Sequence, residues 1–238
     1  MRTFGLIGKN LSHSFSKQYF SKKFIENKIT DTEYLNFELE EISEFKRLIR
    51  KKKIHGLNVT IPYKESIIPL LDELSEEAKL INAVNTIHFQ NEKLIGHNTD
   101  YIGFINSIQP LLNGRNKALI LGSGGVSKAI QYALIQLGIK YKTASRNTSF
   151  DYLDISKEIT DYYNIIINTT PVGSYTSIDQ YPNIPYKYLN EKNLLFDVIY
   201  NPHETKFLAY GRMKNTQTKN GLEMLKIQAE ESWRIWNR

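Results

Sequence analysis

Four short segments in the N-terminal part of the chain carry polar side chains where predicted strands end. They hold hydroxyl, amide, lysine and aspartate groups and span residues 12–16, 58–64, 82–86 and 96–100. In open α/β sheets, ligands bind at the carboxyl ends of the strands. These segments therefore predict a site for a small polar ligand.

Most of these residues, taken singly, also have a simple structural explanation as a helix cap or a turn residue: Ser14, Ser16, Asn58, Asn85 and Asp100. Lys64, taken alone, fits a solvated side chain. However, two serines spaced i, i+2 at a helix start can donate hydrogen bonds to a carboxylate, and the helix dipole favours that charge. Both roles can coexist, so Ser14 and Ser16 are candidates for binding a carboxylate.

A glycine-rich loop lies between a predicted strand, Lys117–Leu121, and a predicted helix that ends at Leu137. It reads Gly122-Ser123-Gly124-Gly125-Val126-Ser127. Gly122 permits a tight turn, Gly124 lets the backbone approach a pyrophosphate, and the amides at the helix start favour phosphate charge. Ser127 takes the place of the third glycine. The pattern alone is weak, because such turns also join strands to helices structurally, but its position favours a dinucleotide site.

The end of the next strand indicates which dinucleotide would bind. About twenty residues after such a loop, an NAD enzyme presents Asp or Glu to the ribose 2′-hydroxyl. This sequence has Ser145-Arg146-Asn147 there instead. An arginine can pair bidentately with a 2′-phosphate, so the sequence favours NADP(H). The alternative is a solvated arginine on a loop.

The elements that must position these residues alternate between short β-branched strands and helices, which is typical of an α/β fold with parallel sheets. In the first part we predict strands over 3–8, 33–37 and 56–61, helices over 17–27, 41–53 and 65–81, and a hairpin of 83–89 and 93–98. A new βαβ pattern starts at Lys117. It continues with strands over 139–144, 164–168 and 194–199 and closes with a helix, Leu222–Trp236. Two domains are predicted.

Composition excludes several classes of protein. The 238 residues are 41% hydrophobic and 24% charged, as in soluble globular proteins. The net charge of +6 is enough to attract anions but does not form the dense basic stripe of a dedicated nucleic-acid binder. With no cysteine, disulfide frameworks, thiolate metal sites and cysteine nucleophiles are excluded. The five histidines are scattered, so no metal site is expected. No targeting segment or membrane-length apolar run is apparent, which favours a cytoplasmic protein without a membrane partner.

Several motifs occur in order along nearly the whole chain. They are His-Ser-x-Ser at 13–16, Asn58-Val59-Thr60 with Lys64, Ala83-Val84-Asn85-Thr86, Asn98-Thr99-Asp100, Gly122-Ser123-Gly124-Gly125, Ser145-Arg146-Asn147, Asn168-Thr169-Thr170-Pro171-Val172-Gly173, Asp197-Val198-Ile199-Tyr200-Asn201-Pro202, and Asn220-Gly221-Leu222-Glu223-Met224-Leu225 with Gln228. Together they closely resemble the shikimate dehydrogenases, which are NADP-dependent reductases of 3-dehydroshikimate in aromatic biosynthesis.

The resemblance implies roles for individual residues. Lys64 and Asp100 would form the catalytic pair. Hydroxyl and amide side chains would hold the substrate: Ser14, Ser16 and Tyr200 at its carboxylate, Thr60, Asn85 and Gln228 at its ring hydroxyls, and Asn58 beside them. NADP(H) would be the cofactor, bound by Gly122, Ser123, Gly124, Gly125 and Val126, by Ser145 and Arg146, by Thr169, Thr170, Pro171 and Val172, and by Val198, Gly221 and Met224.

The resemblance also implies a division into domains. Residues 1–99 and 219–238 would form an α/β domain that binds the substrate. Residues 100–218 would form a Rossmann-like NADP-binding domain, and the C-terminal helix would return to the first domain. The expected partner is a small-molecule substrate, not nucleic acid or a membrane, and the expected state is a monomer or homodimer.

The sequence departs from the family at three points. Lys17 stands where the family usually has proline, and Ser145 stands where asparagine is common. The stretch between Asn147 and Asn164 is about one helix shorter than usual. This shortening affects the adenine side of the cofactor site and predicts a weaker preference for NADP(H) than Arg146 alone would give.

Three alternatives remain open at this stage. A quinate or quinate/shikimate dehydrogenase has the same scaffold and often uses NAD, but Ser16 and Arg146 favour shikimate and NADP. A methylenetetrahydrofolate dehydrogenase is also a two-domain reductase with a lysine, although the serine pair weighs against it. A nucleic-acid-binding protein could use the basic cluster at 47–53, but aromatic stacking residues are not interleaved with it.

Overall fold

The computed structural model describes residues 1–12, 14–146 and 149–238. His13 and Asn147, each part of a predicted motif, lie outside the described residues. The chain divides into two compact units. The first unit contains Met1–Thr99 and Ala229–Arg238, and the second contains Asp100–Gln228. Residues 219–228, assigned to the first domain from the sequence, thus lie in the second unit.

The first unit is built on a mixed sheet of six strands: β1 (Arg2–Gly8), β2 (Thr32–Glu38), β3 (Gly56–Val59), β4 (Glu73–Leu74), β5 (Thr86–Gln90) and β6 (Lys93–His97). Their order is β2-β1-β3-β5-β6-β4. The three strands β2, β1 and β3 are parallel, whereas β5 is antiparallel to both β3 and β6. The predicted hairpin is confirmed, because β5 and β6 are joined at Asn91 and Glu92, which both have positive φ angles.

Two helices of the first unit begin after a serine N-cap. Helix α1 (Phe15–Glu26) follows Ser14, and α3 (Glu76–Ile81) follows Ser75, each with its hydroxyl accepting from a backbone N–H three residues on. Between them α2 spans Phe45–Lys51. The predicted helix over 65–81 is wrong in its first part, whereas its end is the helix α3. Pro69 lies in a single 3₁₀ turn, Ile68–Leu70, after which the backbone becomes extended and forms β4 beside β6.

The second unit contains a parallel sheet of five strands: β7 (Lys117–Leu121), β8 (Lys140–Ala144), β9 (Ile165–Asn168), β10 (Leu194–Asp197) and β11 (Gln217–Lys219). The order is β11-β10-β9-β7-β8. The chain therefore winds outward from β7 in both directions, and the switch point lies between β7 and β9. All residues of β9 and β10 are buried, as expected when a parallel sheet is covered on both faces.

In the described part of the chain, five α-helices accompany this sheet: α4 (Asp100–Ile108), α5 (Gly125–Gln136), α6 (Lys157–Tyr162), α7 (Lys206–Arg212) and α8 (Leu222–Trp236). The sequence prediction missed α6, α7 and β11, which are short. The boundary between the units falls within α8, after Gln228, so the C-terminal helix returns to the first unit. No helix among the described residues is long and apolar enough to cross a membrane.

The end of α8 is part of the core of the first unit. The Phe4 ring lies 4.9 Å from that of Trp236 and 5.4 Å from that of Trp233, centroid to centroid. The indole Nε1 of Trp236 donates to the carbonyl of Ile87 at 3.0 Å. A side chain on Gly56 would collide with the same indole, so glycine is required where β3 passes under the helix.

Candidate functional site

Asn58 is the centre of a buried polar network in the first unit. It lies within β3 and is 4% exposed, so its interpretation as a turn residue is wrong. Its Oδ1 accepts from the phenol of Tyr34 at 2.8 Å, and its Nδ2 donates to the hydroxyl of Ser232 at 2.9 Å. The same Nδ2 also lies within hydrogen-bond distance of Asn85 O and Thr86 Oγ1.

Asn85 is held by Thr99, which precedes α4. Its Oδ1 accepts from the backbone N–H of Thr99 at 2.7 Å, and its Nδ2 donates to the Thr99 hydroxyl at 2.9 Å. Thr60 follows β3 directly and donates its N–H to Ile7 O at 2.9 Å. Thr60 therefore sits at the carboxyl ends of β1 and β3, where a ligand is expected to bind.

The two predicted carboxylate-binding serines have different positions at the start of α1. Ser14 is the N-cap, with its hydroxyl accepting from Lys17 N at 3.4 Å. Ser16 lies inside the first turn and is buried, so the N-cap interpretation of Ser16 is wrong. A hydrogen bond links Ser16 to the phenol of Tyr34, whose pKa is raised by burial. Tyr34 thereby connects Ser16 to Asn58.

The predicted catalytic residues belong to different units. Lys64 is half-buried, and its carbonyl accepts from Val84 N at 2.7 Å, beside the segment that carries Asn85. Asp100 is the first residue of α4 and is 5% exposed. The pairing of Lys64 with Asp100 stays a prediction.

The glycine loop lies at the switch point of the second sheet. Gly122 has a φ of 109°, a value that strongly favours glycine. A Cβ at this position would lie 2.7 Å from Thr169 Oγ1 and 2.9 Å from Thr170 Cγ2. The Thr169 hydroxyl donates to Leu121 O at 2.7 Å. The loops that follow β7 and β9 are therefore in direct contact, and only glycine fits between them.

The start of α5 has the features that a pyrophosphate requires. Gly124 is its N-cap, so no side chain caps the first amides of the helix. A Cβ built on Gly124 would meet nothing within 4 Å, and both Ser123 and Gly124 are exposed. The Ser127 hydroxyl donates to Gly122 O at 2.8 Å and holds the turn. The open space and the helix amides fit a dinucleotide phosphate.

Arg146 emerges beside this turn. Its strand, β8, pairs with β7 so that Ala144 lies opposite Leu121, and Gly122 N donates to Ala144 O at 2.9 Å. Ser145 is buried, whereas Arg146 is exposed. Burial raises the pKa of the nearby Tyr152, and the charge of Arg146 partly opposes that shift. Arg146 is thus available to an anionic ligand at the glycine turn.

The segment after β9 is shaped by Asn168. The Thr170 hydroxyl and N–H donate to Asn168 Oδ1 at 2.7 and 3.1 Å, and Asn168 Nδ2 donates to Val172 O at 3.3 Å. The segment from Thr169 to Val172, including the exposed Pro171, therefore curls back over the end of its own strand.

Three other predicted cofactor residues lie together. Gly221 N donates to Ile199 O at 3.0 Å, and a side chain on Gly221 would collide with the backbone of Val198. Met224 is 5% exposed and belongs to the hydrophobic cluster against which Val198 packs. Tyr200 is half-buried two residues after Val198. Gln228 is 7% exposed on α8, and its Nε2 donates to Leu225 O at 2.8 Å.

Sequence reasoning assigned no role to Asp197, Tyr34 or Ser232. Asp197 ends β10 and is fully buried. Its Oδ2 accepts from the Thr205 hydroxyl at 2.6 Å, and its Oδ1 accepts from Asn168 Nδ2 and Ile199 N, both at 3.1 Å. Burial raises the pKa of Asp197 to about 7, although these hydrogen bonds oppose the shift. In the sequence, Asp197 directly follows the apolar run 194–196 of a predicted strand, and this pattern could have indicated that its side chain is buried.

Fold and loop together define a class of protein. A doubly wound parallel sheet with a glycine turn at its switch point is the architecture of dinucleotide-binding α/β proteins. In this chain it is joined to a second α/β unit that contains a buried set of amides and hydroxyls. Among residues 1–12, 14–146 and 149–238, no group of three histidine or acidic residues could hold a metal ion.

Comparison with known proteins identifies the family within this class. The family model of the shikimate dehydrogenase substrate binding domain matches residues 6–87. A curated NADP(+) shikimate dehydrogenase from Clostridium beijerinckii is 38% identical over an alignment of 251 positions, which covers 99% of this chain and 92% of that protein. The chain therefore belongs to the shikimate dehydrogenase family.

Solved structures agree with this assignment. Shikimate dehydrogenase 1 from Peptoclostridium difficile has a TM-score of 0.89 and 40% identity, covering 100% of this chain and 92% of that one. The Thermus thermophilus enzyme, solved in complex with NADP(H) and shikimate, has a TM-score of 0.87 and 27% identity, covering 99% and 93%. The predicted fold class, an α/β substrate domain with a Rossmann-like domain, is confirmed.

Proposed function

We propose that this chain is an NADP-dependent shikimate dehydrogenase, an oxidoreductase that reduces 3-dehydroshikimate to shikimate, reversibly, in aromatic amino acid biosynthesis. The observation that carries the proposal is the glycine turn at the β7–β9 switch point, followed by Arg146 instead of an acid at the end of β8. Family membership and the buried amides and hydroxyls of the first unit support the same substrate class.

The proposed substrate site uses groups that suit a carboxylated, hydroxylated ring. Ser14 and Ser16 donate to the carboxylate at the start of α1, with the phenol of Tyr200 as a further donor. Amides and hydroxyls can both donate and accept, as recognition of ring hydroxyls requires, and those assigned are Thr60, Asn85 and Gln228, with Asn58 beside them. Residues 1–99 with the end of the C-terminal helix, from Ala229 onward, form the proposed substrate domain.

The proposed cofactor site uses backbone amides and one arginine. Gly122 to Val126 cradle the pyrophosphate at the start of α5, with Ser123 at the exposed tip of the loop. Arg146, after Ser145, binds the 2′-phosphate. Residues from two further segments line the nicotinamide side: Thr169, Thr170, Pro171 and Val172, with Val198, Gly221 and Met224. NADPH supplies the hydride when bound.

Lys64 and Asp100 are the proposed catalytic pair. Arrival of a hydride at C3 of the substrate places negative charge on the carbonyl oxygen, and a proton must reach that oxygen. The ammonium of Lys64 stabilises this charge and donates a proton, which converts the ketone into the alcohol. Asp100 orients the ammonium, and the reverse reaction moves the proton back to the lysine.

The proposed enzyme acts in the cytoplasm on a small-molecule substrate, as a monomer or homodimer. A two-by-two assay tests the function: oxidation of shikimate and of quinate, each with NADP⁺ and with NAD⁺. We expect shikimate with NADP⁺ to give the highest kcat/KM. Equal or faster oxidation of quinate with NAD⁺ would favour a quinate dehydrogenase, and no oxidation under any of the four conditions would overturn the proposal.

A further inference from the structure

Ser232 is a fully buried hydroxyl on the last part of α8. Its Oγ accepts from Asn58 Nδ2 at 2.9 Å and lies 2.7 Å from the hydroxyl of Thr86 and 3.3 Å from that of Thr99. It therefore connects β3, β5 and the residue that precedes α4. One small side chain from the C-terminal helix thus joins three segments of the first unit.

The groups that Ser232 contacts are the same groups that orient the two buried amides. Asn85 Oδ1 accepts from Thr99 N at 2.7 Å and from the Thr86 hydroxyl at 3.2 Å, while Asn85 Nδ2 donates to the Thr99 hydroxyl. The hydroxyls that flank Asn85 on both sides are thus the ones that reach Ser232. Asn58 is bonded to Ser232 directly.

Contacts of α8 on either side of Ser232 fix the position of this residue. Four residues after it, the Trp236 indole donates to Ile87 O in β5. Two residues before it, Glu230 accepts from the phenol of Tyr19 and from Lys23 Nζ, which lie on α1. Because α8 is tied to α1 and to β5 on either side of Ser232, the hydroxyl has little freedom to move away from its partners.

We propose that Ser232 is a positioning residue for substrate recognition. It fixes the side-chain amides of Asn58 and Asn85, and through Asn85 it sets the geometry with which ring hydroxyls are bound. Ser232 acts through these amides and is not assigned a contact with substrate. The inference rests on the proposed function.

Removal of the Ser232 hydroxyl changes the network in a defined way. In Ser232→Ala, the Thr86 hydroxyl loses its nearest partner, and Asn85 Oδ1 becomes its remaining acceptor. Asn58 Nδ2 also loses its nearest acceptor, the Ser232 Oγ at 2.9 Å, so the groups that orient both amides change. A rise in KM for shikimate of about fivefold to tenfold is expected, the usual effect of losing one buried hydrogen bond.

The experiment compares Ser232→Ala with Ser107→Ala. Ser107 is a matched control because it is also a buried helical serine, 2% exposed, and donates only within its own helix, to Phe104 O. KM and kcat are measured for shikimate and for NADP⁺, together with thermal stability. We expect Ser232→Ala to raise KM for shikimate while KM for NADP⁺ stays within twofold, and Ser107→Ala to change neither.

Shikimate analogues that each lack one ring hydroxyl separate positioning from a structural effect. If Ser232 acts through the amides, the penalty of Ser232→Ala disappears for the analogue without the hydroxyl they bind. The inference would be overturned if Ser232→Ala raised KM equally for every analogue, or if its KM for shikimate were the same as that of Ser107→Ala. Should Ser232→Ala not fold, Thr86→Val removes the facing hydroxyl at constant shape and is expected to give the same KM pattern.

The outcomes also separate this inference from the proposed function. Wild-type protein that fails to oxidise shikimate with NADP⁺ refutes the function itself. Wild-type protein that oxidises shikimate normally, together with an unaffected Ser232→Ala variant, refutes only the role of Ser232.

Discussion

Replacement of Asp197 by asparagine tests the electrostatics of the second sheet. The carboxyl is fully buried at the end of β10, and its hydrogen-bonding neighbours, Asn168, Ile199 and Thr205, are all uncharged donors. With no cation among these donors, burial dominates and raises its pKa to about 7 from an ordinary 3.8. Asparagine keeps the shape and one acceptor oxygen but cannot ionise.

The raised pKa fixes the sign of the expected effect. The native state holds the proton of Asp197 more tightly than the unfolded state does. The contribution of this carboxyl to the free energy of unfolding is therefore fully present below the unfolded pKa and is lost as pH rises towards 7. One pKa unit corresponds to about 1.4 kcal/mol, so about 3 kcal/mol is lost between pH 5 and pH 8. Because asparagine does not ionise, the stability of the variant does not fall with pH in this way. The free energy of unfolding of Asp197→Asn minus that of the wild type should therefore be about 3 kcal/mol larger at pH 8 than at pH 5.

Urea unfolding followed by far-ultraviolet circular dichroism measures this difference. The free energy of unfolding is determined at both pH values for the wild type, for Asp197→Asn and for Asp179→Asn. Asp179 is the control because it is an exposed carboxylate of the same unit, paired with Lys206. A stability difference between Asp197→Asn and the wild type that does not change with pH would refute the reasoning.

Four further substitutions test the proposed site. Arg146→Ala should raise KM for NADPH about 10-fold to 100-fold, through loss of charged hydrogen bonds, and should change KM for NADH far less; equal effects in steady-state assays would contradict the assignment. Lys64→Ala should lower kcat about 10²-fold to 10⁴-fold, and a variant with near-normal turnover would exclude Lys64 from the chemistry. Gly122→Ala should lower the melting temperature by several degrees, because the new Cβ meets Thr169 at 2.7 Å and φ is 109°. Gly124→Ala, which adds a methyl group to open space, should leave the melting temperature unchanged while raising KM for NADP⁺, and an equal loss of stability in the two variants would contradict this account.

Local patterns were sufficient for the strongly periodic elements. The strand Lys117–Leu121 and the helix Leu222–Trp236 have the predicted bounds, because a continuous buried apolar run and a long amphipathic repeat are each encoded by neighbouring residues. The short elements α6, α7 and β11 carry too few residues for a period to be recognised. The predicted helix over 65–81 failed where Pro69 and an extended backbone at Leu71 override the helical composition.

The order of residue types was sufficient to predict the α/β class, the glycine turn, the absence of an acid at position 146 and the family, because local residue patterns carry these properties. Which polar residues bond to one another, in contrast, depends on how distant segments pack together. The hydrogen bonds of Asn58 to Tyr34 and Ser232, 24 and 174 residues away, and of Asp197 to Asn168, 29 residues away, arise from strand pairing and from the return of the C-terminal helix. Burial of a hydroxyl or carboxyl depends on everything packed around it, and no local pattern encodes that environment.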